Sequence, residues 1–193
     1  MEISKHFDDK SGNYASSRSK GILGWIVKAE KKQILRLLDV NKKDKILDAG
    51  CGDGFYSIII KEKEAEVIGV DISKVMIENL KKKNIKGDVG NIEELNFSNK
   101  FDKILCAGAM EFLDNSDKAI ESFHKSLKNN GVLIIQYPRK SFFSYLYKLY
   151  HNMHGIKIKL FSKKEFEELL NKFIIKENVN AGIISAVIKG YKK

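Results

Sequence analysis

The sequence predicts an α/β fold: a mostly parallel sheet with helices on both faces, closed by a C-terminal antiparallel hairpin. Three observations carry this prediction. Short apolar runs of strand length alternate with segments of helical spacing, the pattern of a parallel sheet buried on both sides. The first run ends in a turn with glycine at every second position, Gly50, Gly52 and Gly54. The last two runs are separated only by residues 179–182, short enough for a hairpin. A chain of 193 residues can build one domain with a substantial core and is short for two. Its 43% hydrophobic and 31% charged residues are a globular balance.

The first 20 residues are polar, with Phe7 and Tyr14 as candidate anchors. From Ile22 to Leu38, apolar residues including Trp25, Ile26, Ile34 and Leu37 recur at helical spacing, which predicts a helix with one apolar stripe. A polar turn at 41–44 leads into a strand at 45–49 and, past the glycines, a helix at 55–63. The second strand is 66–70, and Ser73 can cap a helix ending near Lys83. Residues 84–87 form a weak third strand and 101–106 a fourth. A helix at 116–127, a turn at Asn129-Asn130-Gly131 and a strongly apolar fifth strand at 132–137 follow. Helical patterns at 141–153 and 162–170 precede the two hairpin runs, 173–178 and 183–189.

The informative segment is Asp48-Ala-Gly-Cys-Gly-Asp-Gly54, at the junction of a strand and a helix. Glycine there lets a ligand approach backbone and tolerates left-handed dihedrals. Ligands of open sheets bind outside the carboxyl ends of the strands, where this turn falls. The dinucleotide fingerprint needs a third glycine three places after the second, but that position is Phe55. A P-loop fails too, for want of a Gly-Lys-Ser/Thr ending. Asp71 follows directly on the second strand, where a carboxylate can accept hydrogen bonds from ribose hydroxyls; the bland alternative is a helix cap. Asp88, after the third strand, is placed to face an adenine amino group, and Asp48 to orient the loop or meet an ammonium group. Several carboxylates around one cleft repel pyrophosphate and attract a sulfonium or ammonium, so a cationic adenosine cofactor is expected.

The chain resembles the class I S-adenosylmethionine-dependent methyltransferase family. The resemblance rests on Asp48–Gly54, Val67-Ile-Gly-Val-Asp71, Lys86-Gly-Asp-Val-Gly-Asn91, the strand 101–106 and the segment 127–135, in that order and spacing. It implies a Rossmann-like seven-stranded sheet with a reversed final hairpin, and S-adenosyl-L-methionine as cofactor. It implies methionyl contacts from the loop residues Asp48, Gly50, Cys51, Gly52 and Gly54, and ribose contacts from Asp71 with Ile72 beside it. Adenine contacts from Asp88 and Val89 are implied as well, with Ala107 and the stretch to Leu113 near the methyl-bearing end. The expected division is an N-terminal helical cap segment at 1–40, a cofactor-binding core at 45–136, an acceptor-side helical insert at 139–160 and a closing hairpin at 172–190.

The acceptor side is expected from the N-terminal segment, through Tyr14 and Arg18, and from the insert, through Phe143, Tyr147 and Tyr150. In the insert, Phe142, Leu146, Leu149 and Met153 form one stripe and Phe143, Tyr147, Tyr150 and His154 a second. Three readings stay open: a helix packed on the sheet or a partner, a lid over an aromatic acceptor, and an interfacial membrane helix helped by Lys140, Lys148, Lys157 and Lys159. Where many small-molecule members carry a histidine, this chain has Glu111-Phe112, so the candidate bases are His151, His154 and Glu111. Cys51 and Cys106 read as buried filler, and no Cys/His cluster has zinc spacing, so no metal is expected.

Formal charge is +10, from 35 basic and 25 acidic residues. Only Arg18, Arg36 and Arg139 are arginines, the preferred readers of phosphate and guanine, which argues against nucleic acid. The fourth strand exits through Cys106-Ala-Gly-Ala109, without the Asn/Asp-Pro-Pro-aromatic sequence familiar from base-amino methyltransferases. The expected acceptor is a small apolar or aromatic molecule, quinone-, polyketide- or lipid-like. A nucleic-acid methyltransferase and a non-catalytic cofactor-binding or partner protein are the rivals. No early apolar run follows Met1 and cysteines are few, so a cytoplasmic location is expected.

Overall fold

The computed structural model describes residues 21–193, with side-chain surroundings from residue 24 onward; Tyr14 and Arg18 lie outside the described residues. Helix α1 (Gly21–Leu38) leads into β1 (Lys45–Ala49), α2 (Phe55–Glu62), β2 (Glu66–Asp71), α3 (Lys74–Lys82), β3 (Lys86–Val89) and β4 (Phe101–Ala107). After it come α4 (Ser116–Ser126), β5 (Leu127–Pro138), α5 (Phe142–Met153), α6 (Lys163–Leu169), β6 (Phe173–Ala181) and β7 (Ser185–Lys192). The seven strands form one sheet in the order β3-β2-β1-β4-β5-β7-β6. The first five are parallel, and β7 runs antiparallel to both β5 and β6. The chain leaves β1 toward β2 on one side and returns to β4 on the other, so the sheet has its topological switch point between β1 and β4.

Alternation along β1 divides the core. Ile46 faces a layer with Leu37, Leu38, Ile60, Ile77 and Leu80 from α1, α2 and α3. Leu47 faces a second layer with Phe101, Ile120, Phe123, Tyr137 and Phe166, where α4 and α6 pack. Ser73 caps α3 by accepting the Met76 N–H at 3.1 Å. Ser162 and Glu165 form a reciprocal capping box on α6.

Local geometry shifts three predicted boundaries. Strand β3 starts two residues later than expected because Asn84 is left-handed, with φ 56°, and closes the end of α3. The predicted 129–131 turn is an excursion inside β5: Phe101 pairs with Leu127 and Lys103 with Val132, leaving four residues opposite Asp102, with Asn130 at φ 61°. In the hairpin, Val179–Ala181 still pair with β7, so the turn falls at 182–184, where Gly182 has φ 80°.

Helix α5 meets the body through its polar side. Its side toward the body carries the buried Ser144 and His151, and the Ser144 hydroxyl donates to the Ile184 carbonyl at 3.1 Å. The apolar stripe faces outward, with Phe142 73% and Met153 77% exposed. Among the described residues no helix is long and apolar enough to cross a membrane.

Candidate active site

The carboxyl ends of β1, β2 and β4 open into one cleft enclosing about 1020 Å³, part of it open to solvent. Its floor is Asp48, Gly50, Cys51 and Gly52, one wall is Asp71 and Ile72, and Ala107 closes the β4 side. These seven residues were expected at a cofactor, and the fold brings them together.

Glycine at 50 and 52 answers two requirements. Gly50 has φ 72°, and a Cβ there would lie 2.5 Å from the Cβ of Ala109, so the loop after β1 and the loop after β4 touch. Gly52 has φ 53°, and a Cβ there would meet nothing within 4 Å; the space beside it belongs to the cleft. Gly54 has a different task. A Cβ on it would collide with Leu80 Cδ1 at 2.3 Å, and one on Gly69 or Gly87 with Leu80 Cδ2 at 2.6 Å. Three glycines thus form a slot for one leucine of α3, and Gly54 does not line the cleft.

The amides of the loop are already used. Gly50 and Cys51 N–H donate to the Val70 carbonyl at 2.8 and 3.1 Å, and Gly52 N–H donates to Asp71 Oδ2 at 2.8 Å. The turn is therefore no phosphate nest: a ligand that approaches this backbone meets no free N–H at 50–52. Asp71 Oδ1 accepts the Ser73 N–H at 2.9 Å, so this side chain both braces the loop and caps the next turn. Its carboxylate therefore stands at the cleft wall, fixed by backbone N–H groups on either side of it.

Asp48 is buried and accepts the Ser57 hydroxyl at 2.6 Å. Burial raises its pKa to about 6, the Ser57 hydrogen bond opposes the rise, and the charge of Asp71 adds to it. Burial, followed by Asp48 and Asp71, pushes the Cys51 thiol up, so it stays protonated. Carboxylates also enter the lining from Asp53, Glu93 and Asp114, while no lysine, arginine or histidine lines it among the described residues. In a chain of net charge +10, this cleft is selectively acidic.

Several expected residues fall elsewhere. Asp88 and Val89 are exposed at the end of β3 outside the cleft, which is lined instead by Gly90–Glu93 once the later start of β3 is counted. Glu111 sits in the short 3-10 turn Met110–Phe112, whose side chains diverge by about 120°; the turn buries Met110 and Glu111 and sends Phe112 to the cleft. His151 is buried behind the cleft wall, its ring 6.0 Å from that of Phe112 and 4.5 Å from that of Tyr147. His154 closes the C-terminus of α5, its Nδ1 2.8 Å from the Tyr150 carbonyl. None of these three lines the cleft, so no general base is assigned among them. Phe143, Tyr147 and Tyr150 are likewise off the cleft: α5 turns Phe143 and Tyr150 outward, and Tyr147 is half-buried against the His151 ring.

Sequence reasoning missed Phe55 and Tyr56, whose rings pack edge to face at 5.0 Å and line the cleft from the first turn of α2. Their signal was their position directly after the glycine turn. It also missed a buried polar cluster at the cleft's edge. The Gln136 amide donates to Ser185 Oγ at 2.9 Å and to Glu30 at 3.3 Å, and its oxygen lies 3.7 Å from the Cβ position of Gly108. It ties α1, β5 and β7 together, and such long-range contact has no local signature.

Sheet order, switch point and acidic cleft together define a doubly wound α/β protein built to hold a cationic nucleoside cofactor. A family model described as a methyltransferase domain matches residues 40–177, and the chain belongs to that family. Its cofactor is S-adenosyl-L-methionine, and the site fits: an open space beside Gly52, the Asp71 carboxylate in the cleft wall and, among the described residues, a lining without cationic side chains. The chain is 36% identical over 114 residues to the ubiquinone biosynthesis O-methyltransferase of Pelagibacter ubique (strain HTCC1062), covering 56% of this chain and 48% of that one. It is 30% identical over 157 residues to the demethylmenaquinone methyltransferase of Staphylococcus aureus (strain JH9), covering 74% and 65%. The chain spans about half the length of the first curated relatives it matches. Its fold is that of the S-adenosylmethionine dependent methyltransferase from Mesorhizobium loti, with a TM-score of 0.72 at 16% identity over 85% of this chain and 98% of that one.

Proposed function

We propose that this protein transfers a methyl group from S-adenosyl-L-methionine to a small apolar or aromatic acceptor of quinone- or lipid-like character. The observation that carries the reading is the cleft itself: carboxylates at Asp48, Asp53, Asp71, Glu93 and Asp114 beside the aromatic surface of Phe55, Tyr56 and Phe112. The acidic end suits a sulfonium and an ammonium group, and the aromatic end suits a flat apolar molecule. The quinone-pathway names of two relatives support the same acceptor class.

When bound, the cofactor supplies an electrophilic methyl carbon whose leaving group is a neutral thioether. What remains for the chain is to position and to exclude water. Asp71 orients the ribose while bracing the loop through Gly52 N–H. Asp48, held by Ser57, places negative charge under the cationic end. Phe112 and Leu113, across from Phe55, form the rim against which an acceptor packs.

The test is incubation of the full chain with methyl-labelled cofactor and a solvent extract of bacterial lipids and quinones. Label is expected in the organic phase, and Asp71→Ala is expected to abolish most of it. Calorimetric binding of the cofactor without transfer to any extract would leave a non-catalytic binding protein. Label appearing in added RNA would instead select the nucleic-acid rival.

A further inference from the structure

The outward face of α5 is the least explained surface of the molecule. Of the twelve exposed large apolar side chains among the described residues, seven belong to this one helix. Phe142, Leu146, Leu149 and Met153 occupy the crest, flanked by Phe143, Tyr145 and Tyr150. The polar residues Ser144 and His151 occupy the opposite side, against the body. This is an inverted amphipathic helix: water meets the side that a core helix would hide. Burying such a side chain is worth about 1.5–3 kcal/mol relative to leaving it exposed, so a free crest is a standing opportunity for a partner.

Charge around the helix narrows the partner. No acidic residue occurs from 122 to 164, a stretch that includes all of α5. Between 139 and 164 the chain carries Arg139, Lys140, Lys148, Lys157, Lys159, Lys163 and Lys164. Lys148 shares a groove with Asp114, Asp117 and Glu165, Lys140 pairs with Glu165 at 2.6 Å, and Lys163 and Lys164 lie 3.8 Å from Glu167 and Glu168. A second copy of the chain would bring the same positive charge and a net +10 to the contact, which repels. Residues 1–20 contribute few large apolar side chains, chiefly Met1, Ile3, Phe7 and Tyr14. An apolar, aromatic crest framed by lysines matches the interface of an anionic bilayer, where rings and aliphatic chains enter the headgroup layer and cations meet lipid phosphates.

We propose that α5 docks this protein on anionic lipid bilayers, with Phe142, Leu146, Leu149 and Met153 inserted and the surrounding lysines on the headgroups. The docking needs no catalytic activity. Its use rests on the methyl-transfer reading: His151 of α5 touches Phe112 of the cleft, so a docked helix brings the acceptor end of the cleft to the membrane surface, where apolar acceptors reside.

The experiment is vesicle co-sedimentation of the full chain, without cofactor or acceptor. Vesicles of phosphatidylcholine alone are compared with vesicles containing phosphatidylglycerol, for the natural chain, Leu149→Glu and Lys157→Glu. Binding to the anionic vesicles is expected, falling about tenfold or more with Leu149→Glu, and by a smaller factor with Lys157→Glu or high salt. Both positions are exposed, so the melting temperature should stay at the natural value and certify the fold. Failure of the natural chain to sediment with anionic vesicles overturns the proposal. So does sedimentation that Leu149→Glu leaves unchanged, since lysine attraction alone would then explain it. A concentration-dependent dimer broken by Leu149→Glu, with no lipid binding, assigns the crest to a second copy instead. These outcomes leave cofactor binding and methyl transfer untouched, so the two proposals fail separately.

Discussion

The donor side of the molecule and helix α5 use the same kind of sequence pattern in opposite ways. On the donor side, α3 turns Met76, Ile77 and Leu80 inward, and Leu80 fills a slot cut by three glycines. The loop beside it has its amides at 50–52 bonded and its carboxylates braced. In α5 an apolar stripe of equal regularity points away from the body. Periodicity reports that a helix has two faces; only the partners supplied by the rest of the chain decide which face looks in.

This contrast can be broken at several points. Leu80→Ala removes a fully enclosed side chain from the glycine slot and should cost about 3 kcal/mol of stability in denaturant unfolding. A loss under 1 kcal/mol would show that the slot collapses freely.

The pH response of Asp48 sharpens the donor side. Its folded pKa of about 6 lies above the ordinary 3.8, so its protonated form is favoured by folding. Stability from this group is full below about pH 4 and is lost as pH rises through 6, by about 3 kcal/mol. Asp48→Asn should remove that slope in unfolding measured from pH 4 to 7. The same titration predicts that cofactor affinity, read by calorimetry, weakens as pH falls below 6 and the carboxyl loses its charge.

Asp71→Ala should lower cofactor affinity by roughly tenfold or more, from the loss of charged hydrogen bonds. Thermal stability should fall only modestly, since the loop keeps its bonds to Val70. Leu149→Ser on the crest of α5 should change stability by less than about 0.5 kcal/mol. A larger loss in the isolated protein would mean that the crest is covered within the molecule.

The succession of strands, the glycine turn and the placing of Asp48 and Asp71 at the strand ends were legible because each is written in consecutive residues. Gly50–Gly52 announce a turn, and Asp71 stands at the carboxyl end of β2. The glycine pattern misled at Gly54, where a missing Cβ serves Leu80 rather than a ligand. Asp88 was missed by two residues because Asn84, rather than a strand residue, ends the preceding turn. The acceptor end was least legible. The inward and outward sides of Met110–Phe112, the packing of His151 and the Glu30–Gln136–Ser185 cluster depend on contacts between distant segments, which no local spacing encodes.

The close approach of Gly50 to Ala109, which leaves no room for a Cβ at 50, has an evolutionary consequence. One methyl group is all that separates the two loops, so anything larger than alanine at 109 would push against the turn that carries the donor. Phe112 and Leu113, three and four residues further on, face open space at the rim. A lineage exploring new acceptors can therefore rewrite the rim residue by residue, while the joint between the loops holds the donor in register through every change.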